Sequence, residues 1–125
     1  AVDPRGNIVL DSQADAELVF IRNADINGQS ANLLKIKDAM GKAVTIDDTA
    51  FASDPQSVML VSDLKANTVY RIEEPSLGFE PGVAYSASDS EGLAGQLNLD
   101  NGVLTPIATG FGSMRGVIFV PPAKK

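Results

Sequence analysis

The sequence predicts an all-β chain of two to three degenerate antiparallel units, and three observations support that expectation. Phe51, Tyr85 and Phe119 recur at one spacing of 34 residues, within the similar segments 48–53 (DTAFAS), 82–87 (GVAYSA) and 116–121 (GVIFVP). A fixed period of that size marks repeated supersecondary units. Residues 3–12 (DPRGNIVLDS) also match residues 54–63 (DPQSVMLVSD) at an offset of 51, and Ile21 meets Ile72 at the same offset. Finally, short runs rich in β-branched and aromatic residues, closed by polar punctuation, dominate the chain.

Taken in order, 7–12 (NIVLDS) and 17–22 (ELVFIR) read as strands. Residues 30–40 admit two readings. Leu33, Ile36 and Met40 fall at helical spacing behind Ser30, a capping residue. Their surroundings favour a strand over 33–38 (LLKIKD), turning at Met40-Gly41 into 43–46. Residues 58–63 (VMLVSD) and 68–72 (TVYRI) are strands of the same kind as the first pair. Strict alternation in 96–100 (QLNLD) suits a strand with one dry face. Asp100-Asn101-Gly102 then reads as a type I′ hairpin turn, because Asn-Gly accepts positive φ. Pro106 cannot donate to a ladder, so 103–109 (VLTPIAT) is expected at a sheet edge. The unequal registers of 34 and 51 make 24–32 an insertion in the first copy. They make 75–81 a loop in place of an outer strand in the second.

Composition narrows the function classes. At 125 residues the chain suits one domain, and 44% hydrophobic content is ordinary for a folded protein. Ten basic residues against sixteen acidic ones give a net charge of −6. With no cluster of Lys or Arg, such a surface repels phosphate backbones, so no nucleic-acid partner is expected. Cysteine and histidine are both absent, which removes disulfides, thiol nucleophiles, the commonest general base and the usual zinc ligands. Apolar runs such as 58–61 (VMLV) are too short for a membrane-spanning helix. The compartment is not indicated, since Cys-free chains occur inside and outside cells, and Ala1 is compatible with cleavage of a preceding leader.

The opening Ala1-Val2-Asp3-Pro4, followed by Gly6-Asn7-Ile8-Val9-Leu10, resembles the repeat of β-propellers of the NHL and regucalcin/lactonase-like kind. There an inner strand ends in Asp-Pro and a Gly-Asn turn precedes the second strand. Residues 104–111 (LTPIATGF) and then 115–121 (RGVIFVP) are similar to an outer strand passing to the next inner one. The resemblance implies one repeat domain with approximate units 1–47, 48–81 and 82–115 and a closing strand 116–121. A β-sandwich is the alternative that many short strands also allow. Closed propellers use roughly four to eight blades, more than this chain supplies. It therefore resembles the last part of a longer propeller. Open strand edges imply association, either as a homo-oligomer or with a complementary propeller fragment.

Candidate site residues each have a plain competing role. Asn23, Asp25 and Asn27, followed by Gly28, resemble the opening of a calcium loop. Asn stands first where Asp is usual, and Leu34 stands twelfth where a bidentate Glu is needed, so a polar turn is the competing reading. Asp47, Asp48 and Asp63 are candidates for a ligand-facing surface, against a role in strand-end turns. Glu73-Glu74 reads as a solvated strand end. Residues 110–116 (GFGSMRG) lack nucleotide-loop spacing and read as a connecting loop. Arg5, Arg22, Arg71 and Arg115 are candidate carboxylate binders, with Arg5 and Arg115 placed beside corresponding inner strands. Ser86, Ser88 and Ser90 have no histidine to activate them. Phe51, Tyr85 and Phe119 read as packing residues at equivalent positions between adjacent sheets. No catalytic residue is assigned. The leading expectation is a noncatalytic binding or scaffolding module. No cofactor is expected for such a module; the alternative implied by the resemblance is part of a calcium-dependent lactonase-like propeller hydrolase, for which calcium would be bound.

Overall fold

The structure is a computed structural model that describes residues 1–13, 15–22, 30–52, 57–73 and 79–120. Within them the chain is all-β and antiparallel, with ten strands: β1 (Ile8–Ser12), β2 (Glu17–Arg22), β3 (Ser30–Lys35), β4 (Asp48–Phe51) and β5 (Val58–Asp63), then β6 (Thr68–Ile72), β7 (Ala84–Ser88), β8 (Leu93–Leu97), β9 (Leu104–Ala108) and β10 (Met114–Val120). Residues 30–35 are strand, so the β-rich context prevails over the helical spacing of Leu33, Ile36 and Met40. Ser30, Ala31 and Asn32, expected within an insertion, pair with β2. The turn falls at Met40-Gly41 as expected, with Gly41 at φ +87°. Residues 43–46 do not form a strand; they contribute one bridge, Lys37 to Ala43.

Three sheets result. The first has the order β1-β2-β3, the central one β4-β7-β8-β9, and the third β10-β5-β6. The meanders β1-β2-β3 and β7-β8-β9 follow chain order. Two strands do not stay with their sequence neighbours: β4 pairs with β7, and β10 pairs with β5. The sheets therefore cross the expected units, since residues 48–51 join the sheet of 84–108 and residues 114–120 join that of 58–72.

Two apolar cores separate these layers. Val9, Leu18 and Phe20 of the first sheet meet Ala84, Leu97 and Leu104 of the central sheet, with Ile36, Val44 and Ile46 filling between them. On the other side, Met59, Val61 and Val117 of the third sheet meet Tyr85, Ala87 and Ala94. The central sheet is covered on both faces, which is why every residue of β7 is buried. Its small side chains, Ala84, Ser86, Ala87 and Ser88, allow neighbouring layers to approach.

The aromatic residues divide between these cores. Tyr85 and Phe119 lie 5.4 Å apart between their ring centres, and Phe79 stands edge-on to both at about 5 Å. Phe51 packs against the other core. All three fill space between sheets, but their surroundings are not equivalent. Phe51 and Tyr85 sit on paired strands of one sheet, and consecutive register partners (Ala50 with Tyr85, Phe51 with Ala84) put them on opposite faces.

The β8–β9 connection is wider than a type I′ turn. Asn98 Oδ1 accepts the N–H groups of Asp100 and Asn101, and Gly102 alone in that turn takes positive φ, at +78°. The loop closes with Gly102 N–H on the Asn98 carbonyl, four residues back, and so uses one left-handed residue where a type I′ turn needs two. Strand β8 begins at Leu93, earlier than alternation indicated, and Pro106 lies on the outer strand β9 as its missing donor requires.

Candidate functional site

The residues suggested for calcium, Asn23, Asp25 and Asn27, lie outside the described residues, as does Glu74. The remaining acidic candidates are placed by the strand exchange. Where β4 passes beside β10, the Arg115 guanidinium lies between Asp47 (3.4 Å) and Asp89 (3.6 Å). Ser113 Oγ donates to Asp89 at 2.7 Å. On the opposite side of β4, Thr49 Oγ1 donates to Asp11 Oδ1 of β1 at 2.9 Å and lies 2.8 Å from Ser86 Oγ. Burial raises the Asp11 carboxyl above its ordinary range; the Thr49 hydrogen bond opposes this, and the nearby Asp48 and Asp47 charges add to it. Burial also raises Asp47, with Arg115 opposing and Asp89 reinforcing the shift. Asp47 Oδ1 is buried and has no hydrogen-bond partner among the described residues.

The other two carboxylates hold backbone. Asp48 accepts the N–H groups of Thr49 and Val117. Asp63 accepts those of Gly112, Ser113 and Ala66, which lowers its pKa, the first two contributing most. The connecting loop is thus the partner of Asp63 through Gly112 and Ser113, and it is shorter than expected, because residues 114–116 already belong to β10. Among the described residues no group of three carboxylates is placed to hold a metal. Ser86 and Ser88 are buried, Arg71 pairs with Glu73 at an exposed strand end, and Arg5 and Arg22 line a separate cleft. Arg5 and Arg115 thus have different surroundings.

The feature that motif reading missed lies on the outside of the stack. A solvated antiparallel sheet ordinarily turns polar residues to water. Here the outer face of the first sheet carries two cross-strand apolar rows, Ile8–Ile21–Ala31 and Leu10–Val19–Leu33. Leu10 is 48% exposed and Leu33 67%. Only the third row is polar: Ser12 beside Glu17, and Glu17 ion-paired with Lys35. The outer face of the third sheet is mixed, since the row of Ile118 and Leu60 ends in Arg71. Ile118 is paired across from Leu60, Val69 stands opposite Ser62, and a shallow groove of about 380 Å³ runs along them. The clue was available in ELVFIR and VMLV, where apolar residues run on through both parities instead of alternating.

These faces are related. Hairpins β1–β2 and β5–β6 share a register at an offset of 51: Ile8 pairs with Ile21 as Met59 does with Ile72, and Ser12 with Glu17 as Asp63 does with Thr68. Ile8 and Leu10, on the outer face of the first sheet, therefore correspond to Met59 and Val61, which are fully buried against the central sheet. Leu60, on the outer face of the third sheet, corresponds to Val9, buried against the central sheet from its other side.

In comparisons with known proteins, no family model, no curated protein and no solved structure matches the chain. Among the described residues no helix is long and apolar enough to cross a membrane.

Proposed function

We propose that the chain is a noncatalytic binding or scaffolding module that associates with further copies of itself by continuing its stack of sheets. One observation carries the reading: the outward Ile8 and Leu10 of β1 correspond in register to the buried Met59 and Val61 of β5, and the outward Leu60 of β5 corresponds to the buried Val9 of β1. The correspondence is closest on the first strand of each hairpin; on the second, Arg71 of the outer third-sheet face stands where the first hairpin has the buried Phe20. The complementary arrangement is therefore head-to-tail, with the third sheet of one copy on the first sheet of the next. Such a contact is heterologous and leads to a ring or an open series.

Magnitude sets its strength. Three strands about 4.8 Å apart and five residues of about 3.3 Å give a face of roughly 240 Å². One contact covers roughly 480 Å² over both partners, below the roughly 1,200 Å² of a stable interface. A single pair is consequently weak and concentration dependent, and closure through both faces of each copy strengthens it. Blade-type units are supported by the two meanders and the shared hairpin register, and a sandwich by the exchange of β4 and β10. The stacking proposal holds for either.

The calcium-dependent hydrolase reading draws on the buried Asp47 Oδ1. Arg115 beside the other oxygen of Asp47 already supplies positive charge, which favours the binding module. The test uses two variants, Leu33→Asp and Ile118→Asp, each spoiling one face. Neither should associate alone, whereas an equimolar mixture should form a dimer through the two intact faces. Association of either variant alone to the same extent as the wild type would rule out head-to-tail stacking.

A further inference from the structure

Beside the N-terminal turn, an open cleft of about 590 Å³ lies between the first sheet and the edge of the central one. Its size is in the range of small-molecule sites, roughly 300–1,000 Å³. Its polar groups are planar side chains: Asp3, Arg5, Asn7, Arg22, Asn32 and Asp100. Several are held in place. Asp3 Oδ1 accepts the N–H groups of Arg5 and Asn7, and its Oδ2 accepts Asn7 Nδ2 at 2.9 Å. Arg22 Nε donates to Asn32 Oδ1 at 3.1 Å, and its guanidinium carbon lies 5.9 Å from the centre of the Phe20 ring. Phe51 and Leu99 supply apolar wall.

We infer that this cleft binds a short neutral oligosaccharide. Among the described residues two carboxylates and two guanidiniums line it, and their charges cancel. An anion entering there meets Asp3 and Asp100; a cation meets Arg5 and Arg22. A neutral polyol profits from both kinds, because each hydroxyl donates to a carboxylate or amide oxygen and accepts from a guanidinium or amide N–H. Prior fixation of Asp3, Asn7, Arg22 and Asn32 reduces the ordering cost of binding. The C–H faces of a sugar ring match the Phe51 and Leu99 wall. This site uses other side chains than the stacking rows, apart from Leu33 at its rim, and stands or falls separately from self-association.

The experiment is a titration of the isotopically labelled chain, observed by amide NMR, with cellotriose, maltotriose and mannotriose, and with trigalacturonate as the charged comparison. The expected result is saturable shifts centred on Asn7, Arg22, Asn32 and Asp100 with at least one neutral trisaccharide. Asn32→Ala and Asp100→Ala should each weaken that binding by about tenfold, as expected for lost hydrogen bonds to a polar ligand, with folding checked by the unchanged remainder of the spectrum. Absence of saturable shifts with all three neutral probes, tighter binding of trigalacturonate, or binding that both variants retain would overturn the assignment.

Discussion

Asp48 on β4 accepts a hydrogen bond from the backbone N–H of Val117 on β10, at 3.0 Å. The contact ties the two strands that left their sequence neighbours. It occurs where the β10–β5 register shifts between Met114 and Val117, a break at which ladder bonding is interrupted. Gly116 N–H, one residue earlier, is satisfied by Ser62 Oγ at 2.9 Å. Side chains thus complete a ladder that backbone alone leaves incomplete.

Asp48→Ala removes the acceptor of two backbone N–H groups, Thr49 and Val117. Leaving such donors unsatisfied costs about 1–3 kcal/mol, so urea unfolding should shift by that amount. Asp48→Asn, which keeps one acceptor oxygen, should recover part of the loss. Equal stability of Asp48→Ala and wild type would show that the exchanged strands are not joined here.

Opposite pKa shifts predict a two-sided pH profile. Asp63 is lowered by its backbone donors. Asp3 is lowered because hydrogen bonds from Asn7 and Arg5 outweigh an opposing burial effect. Their contribution is complete above the ordinary aspartate value of about 3.9 and is lost as pH falls through their folded values. Asp11 and Asp47 are raised. The folded state then binds more protons than the unfolded state between the two values, so these groups make the protein less stable as pH rises through that interval. Asp11→Asn retains an acceptor for Thr49 without a buried charge. Its stability relative to wild type should therefore rise from about pH 4 to pH 7; denaturant titrations at stepped pH measure this, and a flat difference contradicts it.

Gly102 holds the β8–β9 turn against the end of β3. Its φ is +78°, and a Cβ there would overlap the Lys35 carbonyl oxygen. Its own N–H and C=O are both used, by Asn98 O and Lys37 N–H. Gly102→Ala combines backbone strain with a steric collision and should cost about 2–4 kcal/mol. Gly41, with positive φ but open space around it, should tolerate Ala with a smaller loss set by strain alone. Thermal unfolding of the two variants makes the comparison.

Local pattern made the hairpins legible. Strands β2, β5 and β6 fall on the runs ELVFIR, VMLVSD and TVYRI, because β-branched and aromatic residues between polar stops define a strand without reference to partners. Pro106 announced an edge through its missing N–H. Partner choice was not legible. β4 (DTAF) and β10 (MRGVIFV) each carry a repeat-like motif, but which strand they join depends on Asp48 reaching Val117 and on the small side chains of β7 admitting two layers. The acidic residues were visible individually; that Asp63 and Asp48 are consumed by distant backbone N–H groups could not be read from their neighbours in sequence. The outer apolar rows were present as runs without alternation, and only register showed that they face away from both cores.

The most direct test of self-stacking is sedimentation velocity of the unmodified chain from low micromolar to submillimolar concentration, alongside Leu33→Asp. Stacking predicts a mass that grows with concentration for the wild type and no such growth for the variant, at unchanged secondary structure. A monomer throughout the range, or identical growth in Leu33→Asp and wild type, would contradict the role given to the outer faces.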